Sequence, residues 1–386
     1  MLLSRRQVEV LRQFQAGPDA VVVSLYLDVS AEKYPRREYQ VTARNLLREA
    51  RESLDPTLPR EVRRAAEADL ERMEQYVGLG FQREGGVRGL SVFACEPRGL
   101  WQVYGLPGPV PDLVVPAGAP YLRPLWLQLH DYPRFGVVMV ERAGSRFLTA
   151  GGGQAREVET LASDVPSRVR RSGWAGLKGR RIERHIDDHV QRHLKEVAGR
   201  AQALAEEHDC DYVVVGGNPA LSQQLLNGLA SPWRERVLGI LPLAAAARPA
   251  QVLEAVTGLH EEVSRSRGRK ALEDVLAEVR AGGNVVTGLP GVLRAVQEGA
   301  ATTVVVDSAF NTSGCRCPSC GYLDLQAGAC PRCARPLVAV ADLVTELMEL
   351  ALERGCQVER VGGAPRRDQL RGVGALLRYL PTPFRG

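Results

Sequence analysis

The chain has 386 residues, too long for one ordinary core, and at roughly 100–200 residues per domain it predicts two or three domains. Hydrophobic residues at 45% and charged residues at 25% are normal globular usage, with no low-complexity tail. The net charge of +5, carried almost entirely by arginine, permits nucleic-acid binding without requiring it. No uncharged apolar run reaches the ~20 residues that span a bilayer. The opening MLLSRRQVEVLRQF carries arginines inside its apolar pattern, so it reads as a helix and not a signal peptide. The expectation is a soluble, cytoplasmic protein with no membrane partner.

The first third reads as α+β. Residues 21–30 (VVVSLYLDVS) are a β-branched strand, and residues 38–78 have helical periodicity broken at Pro56 and Pro59. Residues 87–115 return to short apolar runs with Gly and Pro turns, and 116–125 (PAGAPYLRPL) reads as a linker. A second unit opens with the strand FGVVMVER, the turn AGS and the strand RFLTA. The turn GGGQ and the extended stretch AREVETLASDVP follow. After a basic loop, a long helix is expected from about Ile182 to His208, then the buried strand CDYVVVGG, the helix PALSQQLLNGLA and the strand VLGILPL. Residues 262–300 read as helical with a break at Gly282-Gly283. TTVVVDS is a strand, VADLVTELMELALERG an amphipathic helix, and the chain closes on GVGALLRYL. Strands alternating with helices give an α/β and α+β fold class. The predicted domains are 1–120, 125–262 and 263–386, with a basic loop at 168–184 in the second and a four-cysteine zinc knuckle at 315–335 in the third.

Five of the eight cysteines fall between Cys315 and Cys333. The pattern is Cys317-Pro-Ser-Cys320, nine residues, then Cys330-Pro-Arg-Cys333. Two Cys-x-x-Cys turns complete a tetrahedral four-sulfur shell of the kind that holds structural Zn²⁺. The span GYLDLQAGA between the pairs reads as a small hairpin, and Cys315 is a spare that either replaces a ligand or sits nearby. A disulfide framework would instead be spread over a short secreted chain.

Three stretches in order resemble the archaeo-eukaryotic class 1 release factor and Pelota superfamily, in its bacterial branch. They are FGVVMVERAGSRFLTAGGGQAREVETLASDVPSR; the basic loop and long helix GWAGLKGRRIERHIDDHVQRHLKEVA; and TGLPGVLRAVQEGAATTVVVDS with a zinc knuckle after it and the terminal GVGALLRY. The resemblance covers about residues 130–386; the first 120 resemble the family only loosely and hold no stop-codon-reading motif. It implies a three-domain, release-factor-like fold, a monomer, and a ribosome partner: rRNA at the A site and peptidyl-transferase centre, with tRNA and an elongation-factor GTPase as further contacts.

Release factors carry Gly-Gly-Gln at the tip of the middle domain. Gly152-Gly153-Gln154 matches in letters, but it lies between two extended stretches, where glycines make a hairpin turn. The family's catalytic loop comes later, where this chain has Ser172 to Arg181, with glycines and a tryptophan but no glutamine. Hydrolysis is therefore expected to be lost, and the resemblance implies a Balon-like ribosome hibernation or rescue role. The alternatives are a peptidyl-tRNA hydrolase working through Gly152, Gly153 and Gln154, or an RNA-binding adaptor away from the ribosome. The predicted RNA contacts are Arg168, Arg170, Arg171, Gly173, Trp174, Lys178, Arg180, Arg181 and Arg184. His185, His189 and His193 lie four apart on the long helix; without a His-Glu-x-x-His motif they read as a packed or RNA-facing stripe. Asn218-Pro219 reads as a helix cap and first turn.

Overall fold

The computed structural model describes residues 3–83, 86–142, 144–162, 177–365 and 367–379, with 177–187 as backbone only. The chain divides into two compact units: Met1–Asp131 with Glu262–Gly386, and Tyr132–Glu261. Among the described residues no helix is long and apolar enough to cross a membrane.

The first part of unit one contains α1 (Arg5–Gln13), β1 (Val22–Asp28), α2 (Tyr39–Glu52), α3 (Arg60–Gln75), β2 (Gly89–Cys95), β3 (Leu100–Leu106), β4 (Leu113–Ala117) and α4 (Arg123–Asp131). Its antiparallel sheet has the order β3-β2-β1-β4. Every residue of β1 and β2 is buried, because the sheet is covered on both faces. Strand side chains alternate, so Val23, Leu25 and Leu27 meet Ala43, Leu47, Leu70 and Met73 of α2 and α3. Val22 and Tyr26 on the opposite face meet Val8 and Leu11 of α1 and Leu125 and Leu129 of α4.

Unit two contains β5 (Phe135–Glu141), β6 (Gly144–Gly151), β7 (Gln154–Ala162), α5 (Leu177–Glu207), β8 (Tyr212–Gly217), α6 (Pro219–Gly228), β9 (Val237–Leu241) and the start of α7 (Pro249–Ala281). The sheet order is β7-β6-β5-β8-β9. Its first three strands form an antiparallel meander; β8 and β9 join in parallel through helical crossovers, as parallel pairing requires. Val197, Ala201 and Ala205 of α5 pack with Leu221 and Leu225 of α6 on Val138, Val140 and Val215. Asn218 caps α6, accepting from the Ala220 and Leu221 N–H groups, with Pro219 in the first turn.

The second part of unit one adds β10 (Val285–Thr287), α8 (Leu289–Gln297), β11 (Ala301–Asp307), β12 (Gly314–Arg316), β13 (Leu323–Asp324), β14 (Val338–Val340), α9 (Leu343–Glu353), β15 (Gln357–Val361) and β16 (Val373–Leu377). The larger sheet runs β10-β16-β11-β15, and the small one β13-β12-β14. Val304 and Val306 face Val292, Val296, Leu347 and Leu350 of α8 and α9; Val305 faces Leu272 and Val275 of α7.

Three expectations need correction. The long helix begins at Leu177, not Ile182; one glycine at 179 costs only ~1 kcal/mol, and its Leu, Lys and Arg neighbours favour helix. The stretch 262–300 is not helical throughout. Gly282 at φ 66° ends α7, and the β-branched Val285-Val286-Thr287 pairs with β16 as a sheet edge before α8 begins. Residues 116–125 are no loose tether. The Tyr121 N–H donates to Ser24 Oγ at 3.0 Å, Tyr26 donates to the Tyr121 carbonyl, and α4 packs Leu125 into one core and Leu127 against the other.

That segment also enters a buried ionic cluster with the C-terminal part of the same unit. Arg123 and Arg316 are 6% and 9% exposed, Glu346 and Glu349 8% and 2%. Arg316 Nη1 lies 3.1 Å from Glu346 Oε1, Arg123 Nε 3.3 Å from Glu353, and the Tyr121 hydroxyl 3.2 Å from Glu346 Oε2. Burial, reinforced by the Glu346 charge, pushes the Glu349 carboxyl well above its ordinary 4.5. Its folded form therefore holds a proton that the unfolded chain releases, so its contribution is full below about pH 4.5 and declines as pH rises toward the folded value. Glu349→Gln is expected to match the wild type in thermal stability near pH 4.5 and to exceed it increasingly up to pH 8; parallel profiles would contradict the assignment. Gly217 supplies a second test. Its φ is 95° and a Cβ there would lie 2.2 Å from the Val140 carbonyl, so Gly217→Ala is expected to cost at least about 2 kcal/mol in denaturant unfolding.

Candidate metal centre and RNA-facing segment

Each Cys-x-x-Cys pair forms the tip of a tight turn. β12 leads into Cys317–Cys320 and the chain returns as β13, pairing Arg316 with Leu323. The Cys317 N–H donates to the Tyr322 carbonyl at 2.8 Å and the Gly321 N–H to the Cys317 carbonyl at 3.0 Å. The second knuckle repeats the plan: Cys330 N–H donates to Arg335 and Ala334 N–H to Cys330, both at 2.8 Å. Ala329 bridges Pro336, and β14 returns to pair with β12. The residue after each pair is left-handed, Gly321 at φ 67° and Ala334 at φ 58°. The span GYLDLQAGA is therefore not a hairpin of its own, because Leu323-Asp324 pairs backward with β12.

The four sulfurs converge: Cys317 to Cys333 is 3.4 Å, Cys320 to Cys330 3.5 Å, Cys320 to Cys333 3.7 Å, and all lie within 4.8 Å of one another. Four thiolates about 2.3 Å from a tetrahedral Zn²⁺ would stand roughly 3.8 Å apart, so the donor set and its spacing fit that ion. Burial pushes the Cys317 thiol up, but the backbone N–H groups of Cys320 and Ser319 outweigh it and bring it to about 6. Burial and the adjacent sulfurs raise Cys320 to about 12. Four crowded thiols sharing protons in this way are a set that a divalent cation would deprotonate. Cys315 is buried in β12 and stands outside the four-sulfur group.

Gly152 and Gly153 are the central residues of the β6–β7 turn, at φ 57° and 78°, between the paired Gly151 and Gln154. Positive φ at both central positions is the hairpin geometry that glycine supplies without steric cost. Gln154 is the first residue of β7 and, like Gly153, is exposed at the turn. Arg168, Arg170, Arg171, Gly173 and Trp174 lie outside the described residues. Lys178, Arg180, Arg181 and Arg184 fall in the first turns of α5, where the described structure is backbone alone. The side chain of His185 also lies outside the described set. His193 is buried, its Nε2 3.3 Å from Ser145 Oγ, and burial lowers its pKa, so this end of the histidine stripe belongs to the core. The residues that sequence reasoning missed are Tyr121, Arg123, Arg316 and Glu346. Their partners come from opposite ends of the chain, and no local spacing signals them.

Residues 120–261 match the model of bacterial archaeo-eukaryotic release factor family 10. The chain is 22% identical to peptide chain release factor subunit 1 of Thermococcus onnurineus over 416 residues, 97% of each chain. It is 26% identical to the same protein of Methanocaldococcus jannaschii over 293 residues, 67% of this chain and 69% of that one. Among solved structures it is similar to S. cerevisiae Dom34, a translation termination-like factor, at 9% identity over 74% of each chain with a TM-score of 0.40. Residues 120–261 thus carry the match to the bacterial archaeo-eukaryotic release factor family, the chain is similar along its length to peptide chain release factor subunit 1, and it is a release-factor-like translation factor.

Proposed function

We propose that this protein is a cytoplasmic, zinc-carrying factor that binds the ribosomal A site without hydrolysing peptidyl-tRNA, in ribosome hibernation or rescue. The observation that carries the reading is the similarity to release factors along 97% of the chain. We read the two larger sheets of the first unit as the first and third domains and unit two as the middle domain between them. In this reading the middle domain presents the segment 168–184 to rRNA near the peptidyl-transferase centre. Two features support it. The helix α5 opens with Lys178, Arg180, Arg181 and Arg184 and has no acid in its first turn. Cations are unfavourable at a helix N-terminus, whose partial charge is already positive, and a phosphate backbone relieves both. The glycines of 152–153, for their part, are accounted for by the turn they make.

A second reading is hydrolysis by Gly152-Gly153-Gln154, favoured by the exposure of Gly153 and Gln154 at a strand tip. Sedimentation through a sucrose cushion with vacant bacterial ribosomes separates the outcomes. The expected result is near-stoichiometric pelleting at near-physiological salt, competed by A-site tRNA and unchanged by Gln154→Ala. Replacing Lys178, Arg180, Arg181 and Arg184 together by alanine is expected to weaken binding by at least about tenfold and to flatten its salt dependence. No pelleting with vacant or peptidyl-tRNA-stalled ribosomes would overturn the proposal, and salt-sensitive binding to free RNA alone would point to an adaptor instead.

A further inference from the structure

The metal ribbon has little to hold it together besides its sulfurs. Its strands are two or three residues long, and between 318 and 340 only Leu323 and Cys330 are buried. It nevertheless makes specific contacts with both parts of unit one. On the C-terminal side the Gln297 amide brackets Leu323: the Leu323 N–H donates to Gln297 Oε1 at 2.9 Å, and Gln297 Nε2 donates to the Leu323 carbonyl at 3.1 Å. Arg332 donates to the Gln297 carbonyl at 2.9 Å. On the N-terminal side Arg123 Nη2 donates to the Gly321 carbonyl at 2.7 Å, Arg316 donates to the Tyr121 hydroxyl, and Arg335 pairs with Asp55 in the α2–α3 turn at 3.1 Å. The Arg335–Asp55 pair is largely exposed and contributes little. The Arg123 bond comes from a buried guanidinium, is charge-assisted, and ends on the half-buried backbone of the first knuckle.

Glycine at position 321 identifies which contact matters. The ribbon does not need glycine for its left-handed turn, since Ala334 adopts the same conformation in the second knuckle. The difference is Arg123: a Cβ on Gly321 would stand 2.4 Å from its Nη2, whereas Gly321 without one lets the guanidinium reach the carbonyl. We propose that the four-cysteine ribbon is a metal-dependent clasp, fastening the N-terminal sheet and α4 to the C-terminal sheet through Arg123 on the Gly321 carbonyl. This rests on the reading of the cysteine cluster as a metal site. Metal holds the knuckle in the shape that presents the carbonyl, as cross-linked sulfurs hold other small metal folds. Loss of the metal then loosens α4 as well as the ribbon. Cys320 and Cys333 are exposed, so a chelator reaches the site from solvent.

Hydrogen–deuterium exchange on the full chain, with zinc content measured on the same samples, tests the clasp. Chelated protein is expected to lose its zinc and to exchange about tenfold faster in α4, beyond the ribbon itself. Gly321→Ala is expected to retain its zinc and still exchange faster in α4. A chelated protein whose faster exchange stays within 314–340, or a zinc-loaded Gly321→Ala chain with wild-type exchange in α4, overturns the proposal. A chain that neither carries nor takes up zinc overturns the metal reading with it, and the zinc measurement distinguishes that failure from failure of the clasp alone.

Discussion

The Arg123 guanidinium is the point on which the first unit turns. It is almost wholly buried, yet it stands at the very start of α4, with Glu346, Glu353 and the Gly321 carbonyl as partners. Removing an ion this deep from water carries a penalty of several kcal/mol, offset only when its hydrogen-bond capacity is met. Part of it is met here, Nε by Glu353 of α9 and Nη2 by the Gly321 carbonyl of the first knuckle, while Nη1 stands 3.7 Å from Glu346 without a hydrogen bond. The same cluster holds Arg316 on Glu346 and on Tyr121, whose own carbonyl accepts from Tyr26 in the heart of the N-terminal sheet. A continuous polar path thus joins one hydrophobic core to another and passes beside the metal ribbon.

That arrangement explains which features can be read from sequence. The knuckles are legible because a metal site written as Cys-x-x-Cys is local; two residues of turn decide where each sulfur points. The β5–β6–β7 meander is legible for a related reason, since alternating side chains and glycine turns mark a hairpin within a dozen residues. Helix boundaries are less so: Leu177 begins α5 because neighbouring residues tolerate Gly179, and β10 exists only because β16, almost ninety residues later, offers it an edge. The packing of Tyr121 and Arg123 is invisible beforehand. A stretch with prolines and small residues looks like a tether until its distant carboxylate partners are in place.

The fate of Gly152-Gly153-Gln154 shows why a motif needs its context. The letters are those of a catalytic tip, and the left-handed turn between paired strands accounts for the two glycines, while Gln154 stands exposed beside them. The basic start of α5 is the reverse case. Nothing in its sequence is a named motif, yet basic residues stand in its first turn with no acid among them, which is the feature the proposed function uses.

The proposed function joins two claims, occupancy of the ribosome and absence of chemistry, and single-turnover release of peptide from peptidyl-tRNA on ribosomes saturated with this protein tests them together most directly. The account predicts that the ester survives at the spontaneous rate while the protein remains bound. Release above that rate, abolished by Gln154→Ala, would contradict it and make the β6–β7 turn a working catalytic tip.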